Sequence, residues 1–265
     1  LTATIDVNTI LGGVGDPPAT SQNFIDLTAK VAAHELGHLM GLRHNDAYGP
    51  IGSGITPFPG PAAFLPPYPG PVLATESTMH IMGSPGATGE TLFDSISGQY
   101  FGARSAVKLS MFAFEGQALA EQFGPHGTPF QAQQISLPSL PVPNTELSGV
   151  LAGKVFDVHA TSVTGRLGFA GEVDVYAFQA EAGDSINLEV MSAVFAGSPA
   201  PRFRNFFDTM VTITDINGTP IPYYTGTAVN DDSTEPGVPL TDSAIIDLVV
   251  PTDGVYFIHV ESSDG

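Results

Sequence analysis

Three histidines and one glutamate lie close enough along the chain to hold a metal ion and use it for hydrolysis. On a helix, residues four positions apart project from one face, so the imidazoles of His34 and His38 can converge on one ion. Gly41 allows the chain to leave the helix, and His44 can then return as a third ligand. Three neutral imidazoles leave one tetrahedral position of Zn²⁺ open for water, as in catalytic zinc sites. Glu35 would stand beside that water as a general base.

The complete string H-E-x-x-H-x-x-G-x-x-H resembles the metzincin family of zinc endopeptidases. For the histidine pair alone, two solvated residues on a surface helix would be an equally good explanation. The resemblance implies a methionine turn beneath the metal, and Met82, followed by Gly83 and Ser84, is the preferred candidate. Met79 is the fallback, and both could instead be ordinary core methionines. Because Ser84 stands where some subgroups have a zinc-contacting tyrosine, those subgroups fit poorly, and the branch within the family stays open.

The resemblance implies peptide-bond hydrolysis, in which Glu35 takes a proton from the attacking water and passes it to the departing amine. Asp46 could orient one of the histidines through a hydrogen bond. The Gly- and Pro-rich segment 45–76 is long for a loop and could shape the substrate cleft, although an irregular surface loop is an equal alternative.

The composition narrows the choice of partners and compartment. The 27 acidic residues outnumber the 8 basic ones, and the net charge of −19 disfavours nucleic acid and anionic membranes as partners. There is no cysteine and no apolar run long enough to span a membrane. We expect a secreted, monomeric protein that acts on protein or peptide substrates. Because the chain begins with Leu1 rather than Met, we expect it to be cut from a longer precursor.

The predicted fold is multidomain, with an α+β catalytic domain in residues 1–123. A short strand is expected over residues 3–7, and a helix from Gln22 to Leu42 capped by Thr20 or Ser21. Apolar residues on several sides of this helix predict that it is buried nearly all round. A second helix is expected from Phe101 to about Phe114. Metzincins place a sheet before the zinc helix, and since 33 residues precede His34, most of that upper subdomain is expected to be missing.

Residues 124–146 are rich in proline and predict a semi-extended linker. From residue 147 to 265, short alternating stretches separated by turn residues predict an antiparallel β-sandwich. The strands are expected at residues 173–178, 185–190, 211–214 and 255–260. With the Asn217-Gly218 turn, they resemble the jelly-roll pre-peptidase C-terminal domain of secreted bacterial peptidases. An extracellular polymer could be the ligand of such a domain.

That second resemblance makes calcium a further candidate cofactor beside zinc. The carboxylates that could ligate it are Glu172, Asp174, Asp215, Asp231, Asp232 and Asp242. No EF-hand loop is present, and turn formation by aspartate is the commoner explanation. The remaining histidines, among them His126 and His259, lack ligand spacing and are expected to be structural or solvated.

Two other functions stay open. The chain could be an extracellular binding protein whose sandwich engages a polymer and whose zinc unit is weakly active or inactive. It could also be a zinc hydrolase that acts on a non-peptide amide.

Overall fold

The computed structural model describes residues 11–43, 48–49, 75–76, 80–83, 100–113, 118–143, 155–169, 171–191, 208–222, 229–230 and 243–262. These ranges contain two α-helices, one 3-10 helix and thirteen strands in several sheets. The chain is therefore a mixed α and β protein that is rich in strands, which agrees with the predicted class at that level. The expected strand at residues 3–7 lies outside the described ranges.

Helix α1 spans Ser21–Leu39. Its first turn is capped by a side chain, which accepts a hydrogen bond from a backbone amide that has no partner within the helix. The hydroxyl of Thr20 accepts a hydrogen bond from the Asn23 amide at 3.1 Å, which confirms Thr20 as the N-cap. At the other end, Gly41 has a φ of 81°, and the Leu42 amide donates to the Gly37 carbonyl at 2.9 Å. This left-handed turn ends the helix three residues earlier than predicted.

The prediction that α1 is buried nearly all round was wrong. Its buried residues form a single stripe, consisting of Leu27, Lys30, His34 and Gly37. Their spacing of three or four residues places them on one side of the helix. Leu36 is 53% exposed and Leu39 is 43% exposed, because they lie outside that stripe.

Helix α2 spans Ala103–Ala113, close to its predicted range. Neither helix is a candidate to cross a membrane: none of the helices in the described ranges has the length and apolar character that this requires.

The principal sheet has five strands in the order β11, β10, β13, β8, β4. Its members are β4 (Gln133–Gln134), β8 (Val173–Ala180), β10 (Thr209–Thr214), β11 (Val229–Asn230) and β13 (Gly254–Ser262). β13 pairs antiparallel with both β10 and β8, whereas β4 adds to β8 in parallel. The alternating stretches that predicted strands at residues 173–178, 211–214 and 255–260 are thus confirmed.

A second layer is an antiparallel pair formed by β9 (Ser185–Val190) and β12 (Ser243–Val249). Ile245 and Leu248 of β12 are fully buried in the same core as Tyr176 of β8, Ile213 of β10 and Tyr256 of β13. Because alternate residues of a strand face opposite sides, Val175 and Ala177 lie in a smaller cluster with Phe257 on the other face of the sheet.

Three further pairs complete the strands of the described ranges. They are β1 (Tyr48–Gly49) with β2 (Thr75–Glu76), β3 (Ala118–Ala120) with β7 (Ser162–Thr164), and β5 (Ser139–Pro143) with β6 (Val155–His159). The 3-10 helix spans Pro129–Gln131.

The domain boundaries at residues 123 and 146 stay a prediction. Within the predicted linker, however, the structure has β4, β5 and the 3-10 helix, and β4 is an edge strand of the principal sheet. The prolines of β5 are compatible with its pairing to β6, because a strand of a two-stranded pair needs fewer backbone donors than a central strand.

Candidate functional site

The imidazoles of His34 and His38 are each fixed by a hydrogen bond to a backbone carbonyl. Nδ1 of His34 donates to the Ile81 carbonyl at 2.7 Å, and Nδ1 of His38 donates to the Leu42 carbonyl at 2.9 Å. Since a carbonyl oxygen can only accept, Nδ1 carries the hydrogen in both rings. In a neutral imidazole this leaves a lone pair on Nε2.

The two Nε2 atoms lie 3.1 Å apart, and the rings meet edge to face with centroids 4.7 Å apart. Two lone pairs that face each other at this distance repel, unless a cation stands between or beside them. Two nitrogens bound to one tetrahedral Zn²⁺ at about 2.0–2.1 Å would be about 3.3 Å apart. The spacing of the Nε2 atoms therefore fits two ligands of one zinc ion, as it would fit a shared proton.

Burial favours the neutral form of His34. Removal from water lowers the pKa of His34, and the hydrogen bond to Ile81 offsets part of that effect. The positive charges of His38, when protonated, and of Lys30 lower this pKa further, whereas Glu35 raises it. A neutral imidazole is the form that binds a metal ion.

Met82 lies directly beneath the turn of α1 that carries the histidines. It is fully buried and packs against Leu42, and a Cβ atom added at Gly37 would stand only 2.5 Å from its Sδ atom. Gly37, one position before His38, thus allows the methionine to approach the helix backbone. The assignment of Met82 to a methionine turn stays a prediction, and Met79 lies outside the described residues.

The turn that contains Met82 is itself anchored. The Ile81 amide donates to the Tyr100 carbonyl at 2.8 Å, and the Gly83 amide donates to the His80 carbonyl at 3.1 Å. The ring of His80 packs edge to face on Tyr100 and closely over Gly102. The Ile81 carbonyl that orients His34 is therefore held by the segment that leads into α2.

Glu35 is exposed on α1, next to His34 in sequence, and its charge reaches the His34 ring. An exposed carboxylate beside the histidine pair can exchange protons with water. His44 and Asp46, the predicted third ligand and its neighbour, lie outside the described residues. The structure thus brings together two of the three predicted metal ligands.

The carboxylates that were candidates for binding calcium have different hydrogen-bond partners. Oδ1 of Asp215 accepts hydrogen bonds from the amides of Asn217 and Thr219, both at 2.8 Å. The hydrogen bond from Thr219 is the largest cause of the lowered pKa of Asp215, so this carboxylate serves the turn. Glu172 accepts hydrogen bonds from the amides of Gly168 and Phe169. Asp231, Asp232 and Asp242 lie outside the described residues.

Asp174 belongs to a cluster that the sequence did not indicate. Its carboxylate meets Glu121 and His126, and one donor atom from each of the three residues lies within 4.8 Å of the others. This group could hold a metal ion. The spacing of these residues in the sequence did not indicate a site, because Asp174 follows His126 by 48 residues. They meet only through the pairing of segments that are distant in sequence.

No protein-family model matches the chain, and no curated protein or solved structure matches it significantly.

Proposed function

We propose that the chain is a zinc-dependent peptidase whose metal is held by His34, His38 and His44. The observation that carries the proposal is the pair of Nε2 lone pairs, which face each other at 3.1 Å while both Nδ1 atoms donate to backbone carbonyls. His44 is included as the third ligand because of its position in the sequence motif, three residues beyond Gly41.

When bound, zinc would lower the pKa of water toward about 7 and polarise the scissile carbonyl. The protein groups have separate tasks. His34 and His38 are held in the ligand tautomer by Ile81 and Leu42, and Glu35 accepts the proton of the attacking water and delivers it to the leaving amine.

The net charge of −19 and the absence of cysteine agree with a secreted enzyme. In this proposal the strand-rich part of the chain is an appendage of the pre-peptidase C-terminal type. Two packed layers, in which every strand pair except β4 with β8 is antiparallel, support that comparison.

The test is hydrolysis of casein by the zinc-loaded full chain and by its Glu35→Gln variant. We expect the variant to retain bound zinc and to lose activity by about 100-fold or more, because only the proton-transfer group is removed. Asp26→Asn is the matched control. It neutralises a carboxylate on the same helix that bonds to Gln22, and it should keep both zinc and activity.

His38→Ala supplies the complementary measurement, since it should lower zinc affinity and activity together. Normal casein hydrolysis by Glu35→Gln would refute the role of Glu35. If the zinc-loaded wild type cleaved small amides but no protein, the chain would be a zinc hydrolase of non-peptide amides rather than a peptidase. If it cleaved neither, the polymer-binding function would take its place.

A further inference from the structure

We propose that Glu121, His126 and Asp174 form a second metal site, for a Zn²⁺-type ion, that joins segment 118–127 to strand β8. This inference is independent of the peptidase proposal, because it involves other residues in another part of the fold.

Backbone hydrogen bonds hold together the segments that carry the three side chains. The Glu121 amide donates to the Thr164 carbonyl of β7 at 3.0 Å, next to the parallel pairing of β3 with β7. The His126 carbonyl accepts from the Val175 amide of β8 at 2.9 Å. Asp174 is the preceding residue of the same strand, so the backbone brings its carboxylate beside the imidazole.

A buried glutamine fixes the segment between β3 and His126. The side chain of Gln133 accepts from the Gln122 amide at 2.8 Å and donates to the Ala120 carbonyl at 3.0 Å. Both bonds bracket Glu121 and so fix its backbone, and the Arg166 amide donates to Oε2 of its carboxylate at 2.7 Å. Preorganised ligands of this kind reduce the entropy lost when an ion binds.

Each ring nitrogen of His126 lies beside one carboxylate, at a distance that suits two adjacent ligands of a small divalent ion. Nε2 of His126 lies 3.1 Å from Oε1 of Glu121, and Nδ1 lies 3.3 Å from Oδ1 of Asp174. Neighbouring ligands of a tetrahedral Zn²⁺ are about 3.3 Å apart. The ion would take one ring nitrogen, and the other nitrogen would keep its hydrogen and a carboxylate partner.

One ring nitrogen lacks a hydrogen bond. The His126 side chain is 3% exposed, and within the described residues its Nδ1 makes no hydrogen bond despite the proximity of Asp174. A buried polar atom without a hydrogen bond is costly, and a bound cation would remove that cost.

The charges of the cluster also favour a cation. Burial and the neighbouring Glu121 raise the pKa of Asp174 to about 6; His126, when protonated, lowers it, and Glu172 raises it. Two carboxylates thus flank one imidazole, so the cluster stays negatively charged when both are ionised, even if His126 is protonated. The imidazole favours Zn²⁺ over Ca²⁺, which prefers oxygen ligands throughout.

The experiment starts from the full chain carrying His34→Ala and His38→Ala, so that the first site is disabled. We expect this variant, dialysed against Zn²⁺ and then buffer, to retain about one zinc equivalent by elemental analysis. Addition of His126→Gln should remove that equivalent, whereas addition of His159→Gln, at an exposed position, should not. Circular dichroism checks that each variant is folded.

A second measurement needs no change in the cluster. Titration of the same starting variant with Co²⁺ should shift the NMR signals of the Val175 and Tyr176 amides, since the Tyr176 ring lies 5.7 Å from that of His126. Unshifted signals, or zinc content that His126→Gln leaves unchanged, would overturn the proposal and leave an ion triad of His126 with two carboxylates. Binding of Ca²⁺ but not of Zn²⁺ would overturn the assignment of the ion.

Discussion

At the level of single residues, the histidine pair depends on residues that do no chemistry themselves. His38 can donate to the Leu42 carbonyl because Gly41, with its φ of 81°, turns the chain back over the end of α1. His34 uses the Ile81 carbonyl, which precedes Met82 in the supporting turn. The tautomers that expose both Nε2 atoms are therefore set by the backbone on two sides of the helix.

Gly37 gives the sharpest test of that support. Although alanine favours helices over glycine, Gly37→Ala should lower the free energy of unfolding by about 1–3 kcal/mol, because the new Cβ would overlap Sδ of the fully buried Met82. The displaced Met82 would also move the neighbouring Ile81 carbonyl, so zinc affinity should fall. Urea unfolding and a zinc titration measure the two effects.

Gly254→Ala is the matched control, because a Cβ at Gly254 meets nothing within 4 Å. This substitution should leave both unfolding and zinc binding close to wild type. Stabilisation by Gly37→Ala would show that helix propensity outweighs the contact with Met82, and it would contradict the packing argument.

At the level of helices and strands, the sequence predicted what local chemistry determines. Thr20 as a cap, Gly41 as the helix stop and the alternation in β8, β9, β10 and β13 all follow from neighbours in sequence. The burial of α1 was overestimated, because apolar content around a helix does not show which side another element covers.

The second cluster escaped prediction for a related reason. Glu121 and His126 meet Asp174 through the parallel pairing of β3 with β7 and the bond from Val175 to His126. Such pairings join segments that are remote in sequence, and their register is not encoded in any short motif. The helix-borne pair, His34 and His38, was predictable because one turn of helix separates them.

Within the principal sheet, His259 of β13 should make the protein sensitive to acid. Its Nε2 lies 3.0 Å from the Thr214 hydroxyl of β10, and burial lowers its pKa below the ordinary value of 6.5. The folded state therefore binds this proton less readily than the unfolded state. The resulting stability is present above pH 6.5 and is lost as the pH falls through the lowered value.

His259→Gln should therefore lose less stability than wild type between pH 7.5 and 5, because glutamine keeps a partner for Thr214 without gaining a charge. Urea unfolding at several pH values checks this expectation. His159→Gln, which removes an exposed imidazole from β6, is the control. Equal flattening of the pH dependence by both variants would count against His259.

Across the whole molecule, a buried ion cluster links the helices to the strand-rich part of the chain. Leu188 of β9 packs toward the core, so Glu189 faces the opposite side, where it meets Arg43 at 2.8 Å and Lys108 of α2 at 2.5 Å. Arg104 of α2 also donates to Asn187 of β9 at 2.9 Å. Burial raises the pKa of Glu189, but the two cations outweigh it and the pKa is lowered.

Glu189→Gln should destabilise the protein by about 3 kcal/mol, because it leaves two largely buried cations without their shared anion. It should also weaken zinc binding, since Arg43 directly precedes the proposed ligand His44 and would lose its fixed position. Urea unfolding and zinc titration measure both losses, with Glu181→Gln as a control at an exposed position. A loss of stability without a loss of zinc affinity would mean that β9 supports the helices but does not position the third ligand. If neither quantity changed, the ion cluster would contribute nothing to stability at the junction between the helices and β9.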